Sequence, residues 1–193
     1  LEIGTEELPA NFSHSVINQI NTLIKFEFDK KLIKFNNVIC TSTPRRIVIF
    51  LEGLVDKADD KKVIRKGPKA TSAFLNGLPT NAAIGFANSL GINIEDLETR
   101  QTEKGEFVFG TKIEKGESTK TFLSSIIPKI LKNLQGPRFM KWGGGSFKFS
   151  RPIRWAVSLY NNEILDFVFN ECDPMISIGN KSKSHRLINK VIE

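Results

Sequence analysis

Phe12, Val16, Ile20, Ile24 and Phe28 recur every four residues, and no other feature constrains this 193-residue chain as tightly. An α-helix turns once in about 3.6 residues, so that spacing draws one apolar stripe along one helical face. Ile17, Leu23 and Leu32 widen the stripe, and the pattern predicts a helix over 11–34 that stops at Asn36-Asn37. A stripe this long has to be covered, and the segments around it read as strands: 1–8 closed by Pro9, 38–41, and 47–54 after a turn at Pro44-Arg45-Arg46. A second amphipathic helix is predicted over 118–134, with Phe122, Ile126, Ile130 and Leu134 on one face. Pro128 is expected to kink or split it, and Gly136-Pro137 to end it. A shorter helix is expected over 81–90, stopped by Gly91, and a hairpin over 99–113 turning at Glu103-Lys104-Gly105. Strand-like runs follow at 147–149, 153–160 and 164–169, with Asn161-Asn162 a tight turn. The expected fold is α+β, mostly antiparallel sheet with two or three packed helices. It is expected as two similar lobes, 1–66 and 95–193, joined by a helical segment over 67–94. The similarity rests on one order of elements in both 1–54 and 106–160 (strand, helix, strand, basic proline turn, strand), which sets Arg46 against Arg154.

Charge is spread unevenly. The chain carries 28 Lys and Arg against 21 Asp and Glu, a net +7, and residues 111–193 hold fourteen basic groups against seven acidic ones. From Ser118 to Asn162 there are eight basic residues and no acidic one. Solvated surfaces normally interleave the two signs, so a one-sign stretch points to an anionic partner. Arg138, Lys141, Lys148, Arg151 and Arg154 stand among Phe139, Trp142, Phe147, Phe149 and Trp155, and Arg45-Arg46 set two more guanidinia at a rigid corner. Cations contact phosphates and aromatic rings can stack on unpaired bases, which makes RNA the expected partner. The rings themselves, at strand spacing, are expected to face the core. A membrane surface fits less well, because the charges alternate with strand-like segments and not with one amphipathic helix.

Reaction chemistry finds no foothold in the sequence. Glu6 and Glu7 are neighbours on a strand and point to opposite faces, so one of them is expected to pair an arginine or cap a helix. His14 and His185 lie far apart, and neither GxSxG nor GxxxxGK[ST] occurs. Gly143-Gly144-Gly145 lacks the Lys and Ser or Thr of a phosphate-cradling loop and reads as a flexible loop. Cys40 and Cys172 have no CxxC partner and are expected to be reduced core thiols, with no metal site. No apolar run nears the ~20 residues of a membrane span, and the first residues do not resemble a signal peptide. The chain starts at Leu1 without Met and reads as a non-catalytic piece of a longer cytoplasmic protein.

Several segments together resemble one family. Ile3-Gly4-Thr5-Glu6-Glu7-Leu8-Pro9, Pro44-Arg45-Arg46, Arg65-Lys66-Gly67-Pro68, Lys104-Gly105-Glu106, Lys115-Gly116-Glu117-Ser118-Thr119, Met140-Lys141-Trp142-Gly143 and Phe149-Ser150-Arg151-Pro152-Ile153 stand in the order and spacing of the N-terminal region of the bacterial glycyl-tRNA synthetase β subunit. Lys141 stands where the family often has Arg, and Ser184-His185-Arg186 where it tends to have Gly-His-Arg. The resemblance implies a tetramer of two α and two β subunits that joins glycine to tRNA. ATP and Mg are then used in an α-subunit class II site, no cofactor is held here, and β mainly recognises tRNA. Lys181-Ser182-Lys183-Ser184 looks like a class I synthetase loop one residue short and reads as a basic loop. The expected RNA contacts are Arg45, Arg46, Lys66, Arg138, Lys141, Arg151, Arg154, His185 and Arg186. Expected partners are tRNA(Gly), the α subunit and the remainder of β, with no membrane. The alternative is an assembly module that contacts α or the rest of β and touches no RNA.

Overall fold

A computed structural model describes residues 1–169, 175, 176, 178–184, 188 and 190–192. The chain forms two compact units: one from Leu1–Ala58 with Glu117–Glu193, the other from Asp59–Gly116. The expected lobes 1–66 and 95–193 therefore do not match these units. The second is an insertion, and Ala58 N–H to Glu117 O at 3.0 Å and Thr119 N–H to Asp56 O at 2.9 Å hold its two connections side by side in the first unit.

The first unit is built on a mostly antiparallel sheet. Its central strand β1 (Glu2–Thr5) leads into helix α1 (Ala10–Lys31), followed by the hairpin of β2 (Asn37–Thr43) and β3 (Arg46–Glu52). Helix α1 stops earlier than Asn36-Asn37 because Leu32 takes a left-handed conformation (φ 57°) whose N–H turns back to the Phe28 and Asp29 carbonyls. Leu32, expected to widen the stripe, is exposed where the helix ends, whereas the residues spaced by four from Phe12 to Phe28 are all buried, with Phe12, Val16 and Ile20 wholly inaccessible. Each such side chain is worth about 1.5–3 kcal/mol of burial, so this helix anchors the core. A late helix (Thr119–Asn133) buries Phe122, Leu123, Ile126, Ile127, Ile130 and Leu131 in the same core and runs unbroken through Pro128, so the expected split does not occur. Glu27 on α1 is largely buried and takes the Lys129 ammonium of that helix at 2.6 Å, so the one buried acid of the stripe is paired. Antiparallel partners flank β1 on both sides, β3 and a late strand (Ile153–Val157), and the latter is joined in parallel by Ile178–Gly179. Asn161 and Asn162 make the expected two-residue turn, with Tyr160 opposite Glu163.

The second unit contains β4 (Lys61–Lys69), α2 (Asn81–Leu90), β5 (Leu97–Thr102) and β6 (Gly105–Glu114), in the sheet order β4-β6-β5. Helix α2 has its expected limits: the Thr80 side chain accepts from Ala82 N–H, and Gly91 closes the far end at φ 67°. Its core is small, with Ala73, Ala83 and Val108 buried against Phe74, Phe86 and Leu97. The duplication fails on topology. In 1–54 the first strand pairs with the third, whereas the matching strands of 106–160, Gly105–Glu114 and Ile153–Val157, belong to different sheets. Similar strings of short elements close here into different sheets.

Candidate nucleic-acid interface

Four of the segments that carry the family resemblance meet at the start of α1. Backbone bonds tie three of them together, Thr5 N–H to Arg45 O at 2.9 Å, Leu8 N–H to Pro44 O at 2.5 Å, and Glu6 N–H to Pro152 O at 3.1 Å, and strand pairing of Met140–Lys141 with Lys148–Phe149 adds the fourth. A two-stranded ribbon, β7 (Met140–Lys141) and β8 (Lys148–Phe149), is anchored on this corner. The Phe12 ring meets Phe139 at 5.3 Å and Phe149 at 5.6 Å, both edge to face, and Trp142 Nε1 donates to Phe149 O at 3.0 Å. Phe147 stacks on Phe149 at 5.6 Å. The rings are core, as strand spacing implied, and they fix where the ribbon's cations stand.

Three of the expected RNA contacts have acidic partners that the local sequence concealed. Arg45 Nη2 lies 3.3 Å from Glu6 Oε2, and Arg154 Nε donates to Glu6 Oε1 at 2.8 Å. Glu6 thus plays the arginine-pairing part expected of one residue in the Glu6-Glu7 pair. Arg46 Nε lies 3.3 Å from Glu2 Oε1, and its Nη2 donates to the Lys183 carbonyl. The same Glu2 oxygen accepts from Trp155 Nε1 at 2.8 Å and from Ser182 Oγ at 2.7 Å. Arg46 also stands 5.9 Å from the Trp155 ring centre, so it belongs to a lid of polar groups over that indole. Arg151 is half-buried and donates to Ser150 O at 2.9 Å. The expected continuous face of Arg138, Lys141, Arg151 and Arg154, extended by Arg45 and Arg46, is therefore interrupted: Arg45, Arg46 and Arg154 brace the sheet through acids of β1 and its exit.

Arg138, Lys141 and Lys148 remain open. All three are exposed, and none forms an ion pair among the described residues. Lys141 lies directly opposite Lys148 in the ribbon, a like-charge pair that costs stability where it stands. Arg138 sits at φ 59°, a left-handed conformation that glycine takes freely and that costs any residue with a Cβ. Lys66 falls in the second unit, exposed, with Nζ 3.5 Å from the Phe107 ring centre. His185 and Arg186 lie outside the described residues, as does Cys172. Cys40 is a free, half-buried thiol, pushed up to about 11 by burial. Lys148 was visible in sequence as one cation among eight, and only the ribbon's register singles it out.

Among the described residues no three His, Cys, Asp or Glu side chains converge to hold a metal, and no helix is long and apolar enough to cross a membrane. What the fold and site define is an α+β module that presents cations on an aromatic-anchored corner. The chain belongs to the glycyl-tRNA synthetase β-subunit family: the profile described as "Glycyl-tRNA synthetase beta subunit" matches residues 1–193. It is 42% identical over 189 residues to the glycine–tRNA ligase β subunit of Acaryochloris marina, covering 98% of this chain and 26% of that protein. The corresponding subunit of Trichodesmium erythraeum is 41% identical over 194 residues (100% and 27%), and that of Citrifermentans bemidjiense 34% over 189 residues (97% and 27%). The chain thus spans about a quarter of the length of these relatives.

Proposed function

We propose that this chain is the N-terminal part of a glycine–tRNA ligase β subunit and helps hold tRNA(Gly) beside a catalytic α subunit in the cytoplasm. The α subunit would use ATP and Mg to attach glycine. The observation that carries the reading is the Lys141–Lys148 pair: two exposed like charges face each other on an anchored ribbon, with Arg138 in a costly backbone conformation just before it. A protein gains nothing internally from that arrangement, whereas phosphates neutralise it and release counterions. Binding of tRNA(Gly) to the chain, with and without the α subunit, tests the reading. Affinity that falls steeply as salt rises supports it, and an α-subunit complex that forms while tRNA binding never depends on this chain refutes it.

One observation favours the assembly alternative. Ile39 and Phe50 pair across β2 and β3 on the sheet face away from the helices and are 46% and 55% exposed. Exposed apolar patches mark interaction sites. Ile39→Ser with Phe50→Ser would then abolish association with α or with the rest of β while leaving the salt dependence of tRNA binding intact.

A further inference from the structure

The open face of the second unit's sheet is organised in rows. Residues directly opposite in antiparallel strands share a face, and alternate residues of one strand do too. On central strand β6, Val108 is fully buried on the helix side, and a Cβ at Gly110 would lie 2.4 Å from Leu90, so that side is closed by α2 and its surroundings. Phe107 and Phe109 therefore point the other way, and they stay outside the small core of Ala73, Ala83 and Val108. Across the sheet, Phe107 is flanked by Lys69 and Arg100, and Phe109 by Lys66 and Glu98. Ile64 and Ile113, 52% and 57% exposed, continue the face, with Lys62 opposite Ile113. Three cations (Lys66, Lys69 and Arg100) and one acid flank the two rings, with Lys62 farther along the same face, and the acid is already paired, Glu98 Oε2 to Arg100 Nη2 at 2.6 Å. Lys66 Nζ stands 3.5 Å from the Phe107 ring centre and Arg100 Cζ 5.5 Å from that of Phe109.

We propose that this face is a stacking platform for unpaired RNA nucleotides. Phe107 and Phe109 stand about 7 Å apart along the strand, so the two rings take two neighbouring splayed bases, and Lys66 and Lys69 on one edge take the phosphate between them, with Lys62 set to meet the strand farther on. Lys66 covers a ring in the free protein and moves to the backbone when a base replaces it. Aromatic rings on the middle of an open sheet, rimmed by lysines, favour single strands over duplexes, whose bases present no free face. An acidic protein would satisfy the lysines but has no use for two rings held in register, so the observations favour RNA. The inference rests on the reading that the chain binds RNA, and deepens it by adding a second, single-strand-specific site.

Three probes test it on the complete polypeptide: a 12-nucleotide oligouridylate, a 12-base-pair RNA duplex and a tRNA(Gly) transcript. Phe107→Leu with Phe109→Leu keeps apolar bulk and removes the stacking face. It should weaken oligouridylate binding about tenfold or more and leave duplex binding unchanged, while Phe107→Tyr with Phe109→Tyr should bind like the parent. Lys66→Gln with Lys69→Gln, both exposed, should weaken the same probe with both rings left in place, which keeps the test valid if the leucine variant misfolds. A folded leucine variant that binds oligouridylate as the parent does overturns the platform, as does a variant that loses only a protein partner. Lys141→Gln with Lys148→Gln tests the other unit independently: a loss of tRNA binding there, beside parent-like oligouridylate binding by the leucine variant here, sinks the platform and spares the proposed function.

Discussion

Gly4→Ala should be among the most damaging conservative changes in the chain. Gly4 lies in β1 opposite Trp155, and a Cβ built there would stand 1.9 Å from Cε2 of the indole. Its φ is not positive, so the constraint is space alone. The ring has little freedom to withdraw, because Nε1 is bonded to Glu2 and Arg46 and Lys183 stand over it at 5.9 and 5.5 Å. Overfilling a tight site costs about 1–3 kcal/mol, and disturbing a hydrogen bond to a carboxylate adds roughly 1 kcal/mol. The expected loss is about 2–4 kcal/mol, read from urea unfolding followed by far-UV circular dichroism. A double-mutant cycle isolates the cause. In a Trp155→Ala background the methyl has room, and Gly4→Ala should then cost under ~0.5 kcal/mol. If Gly4→Ala costs the same with and without the indole, the account of why glycine stands at this position is wrong.

Arg138→Gly relieves a left-handed residue and removes a cation, so it should raise stability by roughly 1 kcal/mol while weakening tRNA binding; a variant that is stabilised and binds normally would free Arg138 of any role. Burial favours the neutral Cys40 thiol, so its contribution to stability is complete below the ordinary thiol range and is lost as pH rises through about 11. At pH 8, iodoacetamide should therefore label Cys40, located by peptide mass, on the order of 100-fold more slowly in folded protein than in urea. Lys129→Met leaves the Glu27 carboxylate buried without its partner and should cost roughly 1–3 kcal/mol, most of it regained when Glu27→Leu is added.

Local periodicity made the helices legible, because the fourfold spacing of Phe12 to Phe28 and of Phe122 to Leu134 admits one face only. The turn at Asn161-Asn162 and the stop at Gly91 were legible for the same reason: each residue type solves a backbone problem at its own position. Strand β4 was missed, since Lys61-Lys62-Val63-Ile64-Arg65-Lys66 does not alternate and Gly67-Pro68 reads as a break; the register with β6 shifts between Lys66 and Lys69 to accommodate it. The open face of the second unit disappeared with that strand, although Phe107-Val108-Phe109 alternates in plain view. Distance along the chain is a poor guide to which charges pair. Acids absent from 118–162 arrive through space from Glu6, 148 residues before Arg154, and from Glu27, 102 residues before Lys129. Only the pairing of strands tells a free cation from a brace, and it leaves Lys141 and Lys148 free while binding Arg45, Arg46 and Arg154.

The most direct test is the salt dependence of tRNA(Gly) binding by the parent chain and by Lys141→Gln with Lys148→Gln, measured in the presence of the α subunit. Each phosphate contact contributes about 0.7–0.9 to the slope of log affinity against log salt. The doubly substituted chain should bind more weakly, with a slope shallower by up to about two units and an unfolding midpoint that does not fall, since a like-charge pair has been removed. A slope identical to that of the parent would contradict the assignment of these lysines to RNA.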